Sequence, residues 1–265
     1  MNETELIREL SGLREVRAPA SVRAGALLGA GLADAYFPLD APIGRVYVAH
    51  SERGLSAVAY AASLEAFERA FLAETGRMAV RQDPPERLAQ TLQEWLRGDR
   101  RHKLHFDLRG LGEFQQAVLF KALEIPYGQI RSYSWIAREI GRPNAVRAVG
   151  TALAHNPVPL FIPCHRVVRS DGHLGQYSLI GPEAKRTVLE AEGVQLGRLE
   201  ELATTGVRYF GSDSTHIFCF PTCRYDKTLT DRHRVSFASE TQARAAGYRP
   251  CKVCRPSGPA RTANT

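Results

Sequence analysis

Four of the five cysteines form two close pairs near the carboxyl end of the chain. Cys219 and Cys223 make one pair, Cys251 and Cys254 make the other, and 27 residues lie between the pairs. Two pairs at this spacing are typical of a site in which four thiolates bind one zinc ion. Disulfide bonds are the alternative, but the reducing cytosol disfavours them. The pattern therefore predicts a small domain that binds one Zn²⁺.

The fifth cysteine, Cys164, stands alone between a proline and the pair His165 and Arg166. A cysteine reacts as its thiolate, and a neighbouring base or cation increases the fraction in that form. The apolar run 158–162 predicts a short buried strand before it, and the run 170–172 predicts a turn after it. We therefore expect Cys164 at the end of a strand, either as a reactive thiol or as a small buried hydrophobic residue.

The bulk composition is that of a globular protein. The chain has 265 residues, of which 44% are hydrophobic and 24% are charged, which allows two or three domains. No apolar run approaches the roughly 20 residues of a membrane-spanning helix, and the start of the chain lacks the features of a secretory signal. We therefore expect a cytoplasmic protein without a membrane partner.

Positive charge is concentrated in the last part of the chain. The formal net charge is +7, and residues 207–265 contribute ten Lys or Arg against four Asp or Glu. A basic domain of this kind favours a polyanionic partner, most simply nucleic acid. A basic surface that is only solvated is the alternative, and the charge alone does not decide between them.

The first part of the chain predicts an extension followed by a small α/β domain. The extension, 1–43, begins with a predicted helix from Glu3 to Leu13 and has no role that we can assign. The domain, 44–109, should contain a hairpin, two amphipathic helices and one further strand. These elements are expected at 44–48 with 55–61, at 64–74, at 85–97 and at 104–108.

The next domain, 110–198, has the pattern of a helix-turn-helix unit. Ser132 can cap a helix from Tyr133 to Ile140, and a second helix should run from about Asn144 to Ala154 after a Gly/Pro turn. Arg147 lies on the second helix among small residues, either facing a DNA groove or as an ordinary surface arginine. Three further segments complete the predicted organisation: a linker at 199–206, the zinc domain at 207–258 and a tail at 259–265.

Residues 44–193 resemble the O6-alkylguanine-DNA alkyltransferases, which move an alkyl group from guanine onto a cysteine of their own. The resemblance rests on runs in a fixed order: 114–115, 125–128, 132–133, 144–150, 156–157, 163–167 and 192–193. Together with the cysteine pairs it implies an α+β protein of three parts. These are a small ribonuclease-H-like α/β N-terminal domain, a helical helix-turn-helix alkyltransferase domain and a small zinc-bound α+β C-terminal domain.

The resemblance implies that the partner is double-stranded DNA containing alkylated bases, which the protein binds as a monomer. The damaged nucleotide would be flipped out of the duplex, and Arg147 would fill the gap. Tyr133 would rotate the phosphate and contact the flipped base. Ala148, Gly150 and Arg166 would also contact DNA.

The same resemblance makes Cys164 the alkyl acceptor. Glu192 would hold His165, and His165 would take the thiol proton through a water molecule, because adjacent residues of a strand point to opposite faces. Five other residues are expected in the site: Asn156, which would brace the loop, Lys185, which would neutralise the leaving oxygen, and Val167, Tyr177 and Ser178, which would bind the base. The thioether product is stable, so each molecule should act once and needs no organic cofactor.

Two positions depart from the pattern of this family. Gln176 stands where the family commonly has a second glycine, in a loop that is one residue longer before Lys185. Because that loop walls the base pocket, the range of alkyl groups accepted does not follow from the resemblance. Leu119 replaces a common tryptophan, which we interpret as a packing change.

Residues 207–256 separately resemble the zinc-binding methyl-acceptor domain of the bacterial Ada protein, through 217–224 and 245–254. By that resemblance Cys219 would be a second acceptor, taking a methyl group from a DNA methyl phosphotriester while bound to zinc. A purely structural zinc site is the alternative. In Ada this domain comes first, and here it comes last without room for Ada's regulatory module. We therefore do not expect a transcriptional activator of that design.

Three functions compete at this stage. Direct-reversal DNA repair is favoured because Cys164 is present. A non-catalytic lesion sensor or DNA-binding regulator on the same scaffold is the main rival, and sensor relatives replace that cysteine. A cysteine hydrolase is disfavoured, since the sequence has no triad or oxyanion pattern and the hydrolase reading leaves Arg147 and the zinc cysteines unexplained.

Overall fold

The computed structural model describes residues 19–177 and 179–257. The predicted helix from Glu3 to Leu13, the tail from residue 259 and Ser178 lie outside the described residues. None of the helices within the described ranges combines the length and the apolar character needed to cross a bilayer.

The N-terminal domain contains a four-stranded sheet. Helix α1 (Ala20–Gly29) precedes the first strand along the chain, and helix α2 (Leu64–Thr75) lies between the third and fourth strands. The strands, β1 to β4 in chain order, are Ala33–Ala41, Gly44–Ser51, Gly54–Ala59 and Met78–Arg81. Their spatial order is β3-β2-β1-β4, with β1 antiparallel to β2 and parallel to β4. The hairpin and α2 agree with the sequence prediction, whereas α1 and β1 lie in the segment 1–43, for which the sequence predicts only the helix from Glu3 to Leu13.

The expected domain boundary at residue 44 is wrong, because β1 lies inside the sheet and pairs with strands on both sides. An aspartate and a proline hide this strand in the sequence. The buried Asp34 carboxylate is compensated by Arg77, which donates two hydrogen bonds to it at nitrogen–oxygen distances of 2.9 Å. Pro38 lies past Tyr36, the last residue of β1 that pairs with β4, so its missing N–H costs no bond on that side.

The sheet is buried on both faces, and successive residues of β1 serve the two sides. Tyr36 packs with Phe67 and Phe71 of α2. Phe37 belongs instead to the main core, which continues into the next domain. The first domain therefore supports the second through a shared apolar layer.

The predicted strand at 104–108 forms only an isolated bridge, between Leu55 and Phe106. The segment is fixed mainly by the buried Asp107, which accepts hydrogen bonds from Ser51 and Arg109. It runs tightly against Gly54, whose φ is +127°.

Helix α3 (Glu86–Leu96) completes the N-terminal domain, and the described part of the second domain contains five helices, α4 to α8, and two short parallel strands. These helices are, in chain order, Glu113–Leu123, Tyr133–Glu139, Val146–Ala154, Pro182–Ala191 and Leu196–Thr204, and strands β5 and β6 are Arg131–Ser132 and Val167–Val168. Helices α5 and α6 form the expected helix-turn-helix pair and pack on α4. Ser132 caps α5 as predicted, since its Oγ accepts a hydrogen bond from the Trp135 N–H at 3.1 Å.

Two predictions in this domain are wrong. The run 158–162 is a buried turn, in which the Ile162 N–H bonds to the Val158 carbonyl at 2.9 Å and Leu160 has φ of +73°. Cys164 therefore begins a 3₁₀ turn, Cys164–Arg166, and does not end a strand. The predicted linker at 199–206 lies largely within α8, because Leu196 and Leu199 pack into an apolar cluster with Leu189 and Val194.

The C-terminal domain is a second four-stranded sheet, of order β10-β8-β7-β9, with a short helix α9 (Glu240–Ala245). Strands β7 to β10 are Tyr209–Ser212, Ile217–Cys219, Arg234–Phe237 and Arg249–Pro250. Its apolar core is small and largely aromatic, built from Phe218, Phe237 and Tyr248. The four paired cysteines form a separate buried cluster beside it.

We expect the Gly54→Ala substitution to lower the free energy of unfolding by about 3 kcal/mol. A Cβ at this position would lie 2.2 Å from the His105 carbonyl oxygen, and alanine disfavours a φ of +127°. The control is Gly25→Ala in α1, where a Cβ meets nothing within 4 Å. Urea unfolding of both variants tests this, and equal stability of the two would contradict the tight approach at Gly54.

Candidate functional site

Cys164 lies at the bottom of a small cavity and is 6% exposed. The Asn156 amide donates a hydrogen bond to its Sγ at 3.2 Å and another to the Ile162 carbonyl at 2.9 Å. Burial raises the pKa of the Cys164 thiol, while the Asn156 bond and the charge of Lys185 oppose that rise. The resting side chain is therefore a thiol, and a base must remove its proton before it can attack.

The cavity has a volume of about 130 Å³. It is lined by residues of α5, α6, the 3₁₀ turn Cys164–Arg166 (the acceptor turn) and the loop after it: Tyr133, Gly150, Leu153, Ala154, Cys164, Gln176 and Tyr177. Gln176 is thus a wall of the cavity, at the position where the sequence departs from the family pattern.

The Glu192 carboxylate lies behind the cysteine turn and binds three groups. Its Oε1 accepts hydrogen bonds from His165 Nε2 at 2.7 Å and Arg166 Nη2 at 2.8 Å. Its Oε2 accepts from Arg166 Nε at 2.8 Å and from the Gly128 backbone N–H at 3.1 Å. The end of α7, the acceptor turn and the 125–128 loop therefore meet at one buried carboxylate.

These contacts determine the protonation states of Glu192 and His165. Burial raises the pKa of Glu192, but hydrogen bonds and charges of His165 and Arg166 outweigh it and bring the pKa to about 2. Burial lowers the pKa of His165, and the Glu192 carboxylate only partly offsets this. His165 is therefore neutral at pH 7, with its proton on Nε2 toward the ionised Glu192.

The other ring nitrogen of His165, Nδ1, is buried and has no hydrogen-bond partner within residues 19–177 and 179–257. It carries the free lone pair of the neutral ring, so it can accept a proton. Tyr177 stands edge-on to the same ring, with 6.2 Å between the ring centroids. The Tyr177 hydroxyl is likewise buried without a partner in the described part of the chain.

The prediction that Arg166 contacts DNA is wrong. Its side chain is 2% exposed, and its guanidinium is used by Glu192 and by the Ile125 carbonyl at 2.7 Å. The residue neutralises Glu192 inside the protein. The sequence pattern of a cation beside the cysteine contains no signal that separates these two uses.

Lys185 is fully buried, and burial lowers its pKa to about 8. Its Nζ donates hydrogen bonds of 2.6 Å to the carbonyls of Val167 and Leu174. The side chain thus ties the loop that walls the cavity to the acceptor turn. The hydrogen bond from Lys185 leaves one lone pair on the Val167 carbonyl oxygen, which can accept a hydrogen bond from a flipped nucleobase.

The predicted DNA-facing residues lie on the outer side of the helix-turn-helix pair. Arg147 and Ala148 are exposed on α6, and Gly150 is half-buried. A Cβ on Gly150 would lie 4.0 Å from the Tyr133 ring, a Cβ on Gly175 would lie 3.5 Å from the Tyr133 hydroxyl, and Tyr133 itself lines the cavity. Tyr133 therefore connects the helix pair to the cavity that contains Cys164.

The sulfurs of Cys219, Cys223, Cys251 and Cys254 all lie within 4.8 Å of one another. Four soft, buried sulfur ligands fit one tetrahedral Zn²⁺, and two zinc-ligating pairs on short loops are the usual way to hold it. Cys219 and Cys251 border a cavity of about 440 Å³ that Arg249 and Lys252 also line. Cys223 and Cys254 are fully buried.

Sequence reasoning missed two basic residues. Arg100 lies over the Trp95 ring at 4.7 Å, and burial together with the Arg166 charge lowers its pKa to about 10. Arg131 is buried between the second and third domains, with its guanidinium 5.1 Å from the centre of the Phe220 ring. Neither lies in a motif, so only the fold brings them to the sites.

The Glu192 ion pairs predict a specific acid sensitivity of the fold. The pKa of Glu192 is about 2 in the folded protein against an ordinary 4.5, so stability from these pairs is present above pH 4.5 and lost as pH falls toward 2. We expect Glu192→Gln to be less stable at pH 7 by about 3 kcal/mol and to lose less further stability below pH 4.5. Urea unfolding at pH 7, 4.5 and 3 measures this.

The control is Glu183→Gln, an exposed carboxylate at the start of the same helix. It should reproduce the wild-type acid dependence. An acid dependence of Glu192→Gln equal to the wild type would mean that this carboxylate is not held ionised by its partners.

Comparison with known proteins agrees with the structure for both the region around Cys164 and the four-cysteine domain. Residues 113–194 match the family described as 6-O-methylguanine DNA methyltransferase, DNA binding domain. Residues 200–257 match the family described as metal binding domain of Ada. The four-cysteine cluster lies in this second match, which agrees with one zinc site.

Individual relatives carry one enzyme name. The methylated-DNA--protein-cysteine methyltransferase of Rattus norvegicus is 33% identical over 192 residues, covering 67% of this chain and 89% of that protein. The protein of the same name from Mycobacterium tuberculosis is 49% identical over 89 residues, which are 34% of this chain and 53% of that protein. The crystal structure of Mycobacterium tuberculosis OGT in complex with DNA has a TM-score of 0.50 at 33% identity, covering 63% of this chain and 99% of that one. By its sequence and by the surroundings of Cys164, the chain belongs to the methylated-DNA--protein-cysteine methyltransferase family.

Proposed function

We propose that this protein repairs alkylated DNA by direct reversal, moving the alkyl group from O6 of guanine to Cys164. The observation that carries the proposal is the buried thiol beside a neutral histidine that an ionised glutamate orients. That arrangement supplies a base for a thiol that burial keeps protonated. The proposal makes the protein an S-methyltransferase that acts once.

The first step is proton removal from the thiol. His165 holds its own proton on Nε2 through Glu192, so Nδ1 accepts the proton of Cys164, and we place a bridging water between them. Cys164 and His165 lie in a 3₁₀ turn, so the expectation that their side chains point to opposite faces of a strand is wrong. The unpartnered, buried Nδ1 supports the bridging water instead. Lys185 and the Asn156 amide stabilise the thiolate that forms.

The second step is alkyl transfer. The thiolate sulfur attacks the alkyl carbon, the sulfur–carbon bond forms, and the bond from that carbon to O6 breaks with its electron pair leaving on the guanine. The proton taken from the thiol returns to the guanine, so the products are S-alkylcysteine and the restored base. The sulfur–carbon bond of S-alkylcysteine is stable, because the cysteine thiolate is a poor leaving group from an alkyl carbon. The spent protein is therefore not regenerated.

We infer that the substrate is duplex DNA and that the damaged nucleotide enters the cavity after flipping. A base inside the stack does not expose O6 to a cysteine buried below the surface. We propose that Arg147, which is exposed on α6, fills the space left in the duplex and that Tyr133, which lines the cavity, contacts the base. Alkylated bases are accordingly the proposed specific ligand.

We infer further that the protein works as a monomer in the cytoplasm. The residues of the proposed mechanism form a complete acceptor site within a single copy of the chain, so the mechanism needs no residue from a second copy. None of the five cysteines, all of which lie within the described residues, forms a disulfide bond, which fits a reducing compartment. We also propose that the N-terminal domain is ribonuclease-H-like. Its sheet is an antiparallel meander of three strands with one parallel strand added, which supports this fold.

A second acceptor at Cys219 is proposed for methyl phosphotriesters in the DNA backbone. Zinc bound by four thiolates keeps a sulfur deprotonated and nucleophilic at neutral pH. Cys219 borders the 440 Å³ cavity, and the lysine and arginine on its wall suit a DNA backbone. The competing role is a zinc site that only stabilises the domain.

Isotope transfer tests both acceptors. Duplex DNA with labelled O6-methylguanine should transfer its methyl group to the peptide containing Cys164, and Cys164→Ser should abolish this labelling. Duplex DNA with a labelled methyl phosphotriester should label Cys219. Peptide mass spectrometry reads both positions. An unlabelled Cys164 would refute the repair function, and an unlabelled Cys219 would leave zinc with the structural role alone.

We expect Arg147→Ala to slow methyl transfer from duplex DNA by about 10- to 100-fold, because flipping costs a few kcal/mol that the inserted side chain offsets. Transfer from the free base O6-methylguanine should not change, since no duplex is opened. The control Arg53→Ala removes the same charge from the exposed β2–β3 turn. Single-turnover rates measure these effects, and equal loss on both substrates would contradict a flipping role.

A further inference from the structure

The two cysteine loops of the zinc domain are also its contact surface with the helix-turn-helix domain. One loop lies between Cys219 and Cys223, and the other follows Cys254. Both contact β5, α5 or the end of α4, the elements that begin and support the helix-turn-helix pair. The ligands of the metal and the residues of the interface therefore share the same short stretches of backbone.

The first loop binds through Thr222. Its Oγ1 accepts a hydrogen bond from the Ile130 backbone N–H at 3.0 Å, directly before β5. Thr222 is 7% exposed, so this bond is shielded from water. Phe220 of the same loop packs against the buried guanidinium of Arg131.

The second loop binds through Arg255 and Pro256. The Arg255 carbonyl accepts a hydrogen bond from Trp135 Nε1 at 3.0 Å, and the Pro256 carbonyl accepts one from Arg138 Nη2 at 2.8 Å. The Arg255 guanidinium lies 2.9 Å from carboxylates of both Glu124 and Glu139. Arg255 has φ of +47°, a left-handed conformation that the adjacent cysteine loop must maintain.

The contacted elements lead directly to the acceptor cavity. Strand β5 pairs with β6 in the register Arg131 to Val167, three residues after Cys164. Helix α5 starts at Tyr133, which lines the cavity. A displacement of β5 or α5 therefore moves the wall of the cavity and the segment that follows the acceptor.

We propose that the zinc-bound loops position the guanine-repair site, with Thr222 and Arg255 acting as positioning residues for Tyr133 and the acceptor turn. The inference rests on the proposed transfer to Cys164 and extends it: zinc at a distant four-cysteine site sets the rate of transfer at Cys164. The zinc domain is then a structural part of the guanine-repair site as well as a second candidate acceptor.

The test compares three variants of the full chain with zinc bound. Thr222→Val removes the hydroxyl at nearly constant volume, and Arg255→Ala removes both ion pairs. Asp213→Asn, which breaks an exposed contact with His233 inside the zinc domain, is the control. Zinc content is measured in each, together with amide hydrogen exchange of residues 130–139 and single-turnover transfer from O6-methylguanine duplex.

With zinc retained, Thr222→Val and Arg255→Ala should show faster amide exchange at residues 130–139. Methyl transfer to Cys164 should be at least about tenfold slower than in the wild type. The Asp213→Asn protein should match the wild type in both measurements. Removing zinc from the wild type with a chelator should reproduce the two interface variants.

Wild-type exchange and wild-type transfer in both interface variants would overturn the inference, whatever chelation does. Slower transfer without faster exchange at 130–139 would overturn it too, because the path through α5 would be absent. Failure of the proposed function is recognised separately, as zinc-loaded wild type that does not label Cys164 at all.

Discussion

The acceptor site depends on the hydrogen bonds and ion pair made by the Glu192 carboxylate. The carboxylate is buried at the end of α7 and is bound by His165, Arg166 and the Gly128 N–H. Because Arg166 neutralises the carboxylate, His165 gains an oriented acceptor without being forced into the charged form. A neutral base beside a buried thiol follows, and the whole chemistry of Cys164 follows from that base.

The same carboxylate explains why the fold around the cysteine is a turn. Three segments far apart in sequence must bring polar groups to one buried oxygen pair, and a 3₁₀ turn at Cys164–Arg166 lets His165 and Arg166 both reach it. On an extended strand the two side chains would point to opposite faces. Lys185 and Asn156 then fix the loops on either side of the sulfur.

Sequence reasoning predicted the features that have local signals. The zinc ligands follow from cysteine spacing, the cap of α5 from Ser132, and the helix-turn-helix pair from that cap and the Gly/Pro turn after the first helix. It failed where tertiary contacts decide. Strand β1 carries a buried aspartate that only Arg77 explains, the apolar run 158–162 turns instead of extending, and Arg166 faces inward because Glu192 lies there. The contacts of Arg255 across two domains have no local signal.

In the proposed mechanism, neutral His165 deprotonates a protonated, buried thiol. The pH dependence of the single-turnover rate of methyl transfer to Cys164 tests this proton transfer. We expect a plateau around neutral pH and a fall in acid with a midpoint below 6.5, because the pKa of His165 is lowered from 6.5 while that of Cys164 is raised from 9.0. A rate that instead rises by about tenfold per pH unit from pH 6 to 9 without a plateau would mean that only preformed thiolate reacts, and would contradict it.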